Sequence, residues 1–66
     1  MVEVEQIAFD NNGKQIKIVR IYTSLTDDGE KKTYVIESEN DGFVIQEAYN
    51  ELIFNELYGN LTWTTP

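Results

Sequence analysis

Up to residue 38 apolar side chains recur at about every second position, as in Ile16, Ile18 and again in Tyr34, Ile36; from residue 43 their spacing lengthens towards three and four. A period of two belongs to a strand with one buried face, and a period of 3.6 to an amphipathic helix. Asn12-Gly13, Asp28-Gly29 and Asp41-Gly42 punctuate the pattern. Such pairs suit a type I′ hairpin turn, which needs positive φ at both central residues. With Asn12-Gly13 at the centre of a two-residue loop, Phe9 faces Ile16, Ile7 faces Ile18, Glu5 faces Arg20 and Val4 faces Ile21. Asp28-Gly29, used the same way, pairs Ile21 with Ile36, Tyr22 with Val35 and Arg20 with Glu37, so that Arg20 lies between two carboxylates. Apolar meets apolar and acid meets base in both hairpins, which predicts a three-stranded antiparallel meander over residues 2–10, 14–24 and 31–38.

Residues 43–58 place Val44, Ile45, Ala48, Tyr49, Leu52 and Ile53 on one side of a helix, capped by Asn40 or Asp41 and stopped by Gly59-Asn60. A rival parse makes 43–45 a short fourth strand paired with 34–36 and starts the helix at about 46. The tail, 61–66, begins with alternating residues and is expected to lie extended against the body. The predicted class is therefore α+β, a three-stranded antiparallel β-meander followed by one C-terminal helix packed on the sheet (βββα), in one domain over residues 1–66. In this register Ile7, Phe9, Ile16, Ile18, Tyr22 and Val35 point one way and Val2, Val4, Val19, Ile21, Tyr34 and Ile36 the other. One helix covers one face, so the second must meet the Leu61/Trp63 tail, a second copy or another protein.

A chain of 66 residues buries only about 60% of its unfolded surface, which makes the core marginal. The absence of Cys and His removes disulfides, thiolate metal sites and the commonest acid–base group at neutral pH. Asp10-Asn11-Asn12-Gly13 and Asp27-Asp28-Gly29-Glu30 lack the spacing of a calcium loop and read as turns. Ser24 and Ser38 have no His to activate them, and so small a body offers little cleft for paired carboxylates. Lys14, Lys17, Lys31 and Lys32 sit at strand positions or strand ends, where exposure or edge protection accounts for them. No enzyme activity, cofactor or metal is expected. The N-terminus has no basic region followed by an apolar run and no stretch is long enough to span a bilayer, so a cytoplasmic location is expected, and Asn60-Leu61-Thr62 is a chance glycosylation match.

The formal charge is −7, and residues 33–66 carry six carboxylates with no Lys, Arg or His. That balance disfavours direct contact with nucleic acid or an anionic membrane, whose binding rests on basic side chains, and it also serves solubility. Glu37, Glu39 and Asp41 at the end of the third strand, with Glu47 and Glu51 on the helix, are expected to form one negative surface, with Tyr49, Phe54, Tyr58 and Trp63 as ring anchors for a partner. In size, acidity and aromatic content, though in no family motif, the chain resembles small proteins of phages and mobile elements that occupy the basic groove of a nuclease, repressor or restriction enzyme. The expected function is an acidic inhibitor or decoy of a basic, nucleic-acid-handling protein, of the anti-CRISPR or anti-restriction kind. The alternative is a self-associating accessory or structural domain, a homodimer formed through the uncovered sheet face.

Overall fold

A computed structural model describes residues 2–65; Met1 and Pro66, the last residue of the expected tail, lie outside the described residues. The elements run β1 (Ile7–Phe9), β2 (Gln15–Thr26), β3 (Gly29–Asn40), β4 (Phe43–Asn50) and α1 (Glu51–Tyr58). The strands form one antiparallel sheet in the order β1-β2-β3-β4, and the C-terminal helix packs on it. The α+β meander with its final helix is as expected, but the sheet has four strands, and the helix spans residues 51–58 instead of 43–58. The third turn causes the difference. Asp41 (φ 51°) and Gly42 (φ 84°) both hold positive φ, which returns the chain at once antiparallel to itself. Phe43 therefore meets Asn40, and pairing continues without interruption to Asn50 opposite Thr33. The apolar run at 43–45 fits both periods; the turn decides between them, and the β-branched Val44 and Ile45 suit the outcome. The partners of 43–45 are Ser38, Glu39 and Asn40, not residues 34–36. Asn50, not Asn40 or Asp41, caps the helix, its side chain accepting from the Ile53 amide at 2.9 Å.

In the other two turns glycine stands one place later than a type I′ loop requires. Gly13 (φ 79°) and Gly29 (φ 113°) follow Asn11-Asn12 and Asp27-Asp28, whose φ values are not positive. The Gly13 amide donates to the Asp10 carbonyl at 3.0 Å, and Asp10 Oδ1 accepts from the amides of Asn12 and Lys14 at 2.8 and 2.9 Å. This is a turn closed by an Asp side chain and followed by a left-handed glycine. Both registers shift in consequence: Ala8 faces Ile16, Ile7 faces Lys17, Tyr22 faces Thr33 and Ile21 faces Tyr34. Lys17, not Arg20, stands between the acids, 3.1 Å from Glu5 and opposite Glu37. Arg20 faces Val35 and donates to the Tyr22 hydroxyl at 2.9 Å.

A bulge sorts the apolar residues. Ile18 pairs with Ile36 and Arg20 with Val35, so Val19 is skipped in the ladder and the inward positions of β2 change parity from even to odd. Ile16, Ile18 and Ile21 thereby share one face with Tyr34 and Ile36 instead of dividing between two. Phe54 of α1 closes over them at 1% exposure, edge-on to Tyr34 (ring centroids 4.4 Å), with Trp63 at 5.7 Å. The tail does not cover the opposite face. Trp63 lies on the helix side, its indole N–H donating to the Tyr58 carbonyl at 3.1 Å, and Thr64 exchanges backbone hydrogen bonds of 2.8 Å with Ile7 along the outer edge of β1. Deletion of Val19 leaves every other side chain on its present face, so the variant is expected to fold with native near-UV dichroism. Deletion of Ile21 drives Tyr22 inward and should abolish that signal; equal damage from the two deletions would refute the bulge.

No helix among the described residues is long and apolar enough to cross a membrane.

Candidate functional site

Strand pairing fixes which residues share the face that α1 leaves open. Moving along the sheet, Phe9 lies beside Gln15, Ile7 beside Lys17 and Glu37, and Arg20 beside Val35 and Ala48. Glu39 pairs with Val44, and Glu37 with Gln46, whose side-chain amide donates to the Glu37 carboxylate at 3.0 Å. This face mixes Lys17 and Arg20 with Glu37 and Glu39 among scattered apolar groups, so it is less greasy than the sequence register implies. Among the described residues it has no covering element.

The carboxylates do not form one surface. Glu37 and Glu39 lie on the open face and Asp41 in the adjoining turn, whereas Glu47 pairs with Ile36 and so points to the helix side, where Glu51 also lies. The sheet separates the two groups because β4 is a strand and successive side chains alternate across it. Glu47 and Glu51 are occupied by the fold itself: Tyr49 donates its hydroxyl to Glu47, and Tyr34 donates to Glu51 at 3.2 Å. Tyr49 has its phenol pKa raised chiefly by the bond to Glu47 and then by burial, and Tyr34 chiefly by burial and then by Glu51. Both phenols hold their protons more tightly than free tyrosine.

The ring anchors divide similarly. Phe54 is the centre of the core and is removed from any surface role, whereas Leu52 and Ile53, which the sequence stripe places inward, are exposed, as is Leu57. Tyr49, Tyr58 and Trp63 are half-buried around it, Tyr49 and Tyr58 at 5.9 Å and Phe54 and Tyr58 at 5.8 Å between centroids. The large apolar side chains that do reach solvent near the acids are Phe43 (74% exposed) and Val44 (63%), which the helical reading hides. The β3–β4 hairpin thus gathers Glu37, Glu39 and Val44 on the open face with Asp41 in the adjoining turn, whereas Phe43, opposite Asn40, points to the helix side. A second feature missed in the sequence is the far end of the β2–β3 hairpin: β4 pairs no further than Thr33, so residues 23–32 project as a two-stranded arm with Leu25 exposed.

A depression of about 440 Å³ forms a notch at the base of that arm between Glu30, Lys31, Lys32 and Thr33 on one side and Asn50, Glu51 and Leu52 on the other. No group of three or more acidic residues among the described residues is arranged to hold a metal ion. The chain matches no known family model, no curated protein and no solved structure.

Proposed function

We propose that the protein acts by binding another protein, as a small non-catalytic inhibitor or decoy directed at a basic, nucleic-acid-handling target, and that the β3–β4 hairpin carries the contact. The supporting observation is the grouping of Glu37 and Glu39 with exposed Val44 on one face, and Asp41 in the turn beside them, on a body of charge −7. Carboxylates held on a strand can take the place of phosphates on Lys and Arg through charge-assisted hydrogen bonds, while the neighbouring Val44 supplies buried area. The body's net negative potential speeds encounter with a basic groove.

The test is binding of the intact protein to a panel of purified nucleases and repressors by biolayer interferometry. A target should be released as salt rises and displaced by duplex DNA. At about 1.5–3 kcal/mol for each charged hydrogen bond, the Glu37→Gln/Glu39→Gln/Asp41→Asn variant should bind at least a hundredfold more weakly. Val44→Ala should weaken binding without altering its salt dependence. Binding that ignores salt, DNA and the triple variant would overturn the reading.

A further inference from the structure

The two edges of the sheet differ. Along β1 the tail supplies Thr64, which exchanges two backbone hydrogen bonds with Ile7 and covers that edge. β4 is the other edge: among the described residues no strand pairs with its outer side, and positions 43–48 are all exposed. A bare edge is a template for another strand, and proteins usually blunt it with lysine, proline, a bulge or a very short strand. β4 has no lysine, proline, bulge or short length: it is eight residues long, Phe-Val-Ile-Gln-Glu-Ala-Tyr-Asn, in unbroken register with β3, and its one charge, the inward-pointing Glu47, is engaged by the Tyr49 hydroxyl.

We propose that β4 is a self-pairing edge: two copies of the chain join β4 to β4, antiparallel and centred on Gln46, as a two-fold homodimer with one continuous eight-stranded sheet. The occupant follows from the strand's own sequence. A two-fold axis normal to the sheet pairs residues of the same face, so its centre must fall on a residue. Centred on Gln46, seven residues overlap: Phe43 meets Tyr49 of the second copy, Val44 meets Ala48, Ile45 lies against Glu47 and Gln46 meets its own copy. The aromatic pair and the aliphatic pair are the cross-strand partners that stabilise sheets. Centring on Glu47 sets two carboxylates face to face, and centring on Ile45 shortens the strand overlap to five residues. The dimer keeps both helices on one side of the sheet and joins the two open faces on the other. It differs from a dimer packed through the open face, and it does not depend on the target-binding proposal.

Analytical ultracentrifugation of the intact wild-type chain tests it first. A dimer is expected, and since each copy carries −7, added salt should strengthen it, the opposite of its effect on a basic target. The chain has no cysteine, so single-cysteine variants report the register without interference. Gln46→Cys should oxidise readily to a linked dimer. Val44→Cys should not, because residue 44 lies four positions, roughly 13 Å, from its own copy along the strand. Arg20→Cys should not either, since the two β2 strands stand five strand spacings, roughly 24 Å, apart. Val44→Lys, a change on an exposed position, should retain its circular dichroism and sediment as a monomer. A wild-type chain that is monomeric at every concentration and salt overturns the proposal. So does a dimer that cross-links through Arg20→Cys or Val44→Cys as fast as through Gln46→Cys.

Discussion

Phe54→Ala should strip about 3–5 kcal/mol from the fold, enough to unfold a chain at the lower end of the stability expected for its size. The ring is the most deeply placed large side chain of α1, with Tyr34, Tyr58 and Trp63 packed edge-on around it and Ile16, Ile18 and Ile36 beneath. Truncating a buried Phe costs about 3–5 kcal/mol, part of it from the cavity that neighbours cannot fill. A domain of this size holds only about 3–10 kcal/mol in total, at roughly 0.05–0.15 kcal/mol per residue. The change therefore removes a third of the stability at the least and all of it if the fold is at the lower end. Leu57→Ala, on the same helix but exposed, should cost no more than about 0.5 kcal/mol. Urea titrations followed by far-UV dichroism and by Trp63 emission distinguish the two. Coincident midpoints for the two variants would mean that Phe54 does not hold the core.

Alkali should weaken the fold, and two phenols should set the course. Tyr34 and Tyr49 both have pKa values raised above the ordinary value near 10, Tyr34 mainly by burial and Tyr49 mainly by its bond to Glu47. Below about pH 10 the folded and unfolded chains hold these protons alike, and the full stability is present. Above that pH the unfolded chain releases protons that the fold retains, so stability falls as pH climbs towards the folded-state values. The slope is at most roughly 1.4 kcal/mol per pH unit for each phenol, and less for Tyr49, which is partly in contact with solvent. Two such slopes acting on a marginal core lower its stability in the alkaline range. Urea midpoints at successive alkaline pH values should decline steeply for the wild type and more gently for Tyr34→Phe/Tyr49→Phe, with phenolate absorbance rising as the fold is lost. Equal slopes for the two proteins would remove these hydroxyls from the account.

The turns show how far residues alone determine this fold. Asn11-Asn12-Gly13, Asp27-Asp28-Gly29 and Asn40-Asp41-Gly42 are chemically alike, and each marks a hairpin, so the meander is legible. Yet the first two place positive φ on glycine alone and the third on Asp41 and Gly42 together. That one-residue difference moves every partner across β1–β2 and β2–β3, because side chains alternate. Val19 adds a second displacement that no local residue preference announces. The bulge is favoured by what it brings together: Ile21 joins Ile16 and Ile18 under Phe54, a benefit visible only once the helix is in place. The acids follow the same logic. That Glu37 and Glu39 share a face follows from their spacing of two, whereas the position of Glu47 depended on residues 43–50 being a strand, which the third turn settles. Phe54 lies outside the helical stripe counted from Val44 and becomes central once the helix begins at Glu51.

In a meander every strand pairs with its sequence neighbour, so nearly all of the sheet can form through short loops whose closure costs little entropy. The Ile7–Thr64 bridge is different, joining residues 57 apart. It is also what anchors the chain next to Trp63. Hairpins can therefore be complete while the indole is still undocked, and the protein's sole tryptophan becomes a clock for the last event of folding, the meeting of two distant stretches of chain, and not for the first.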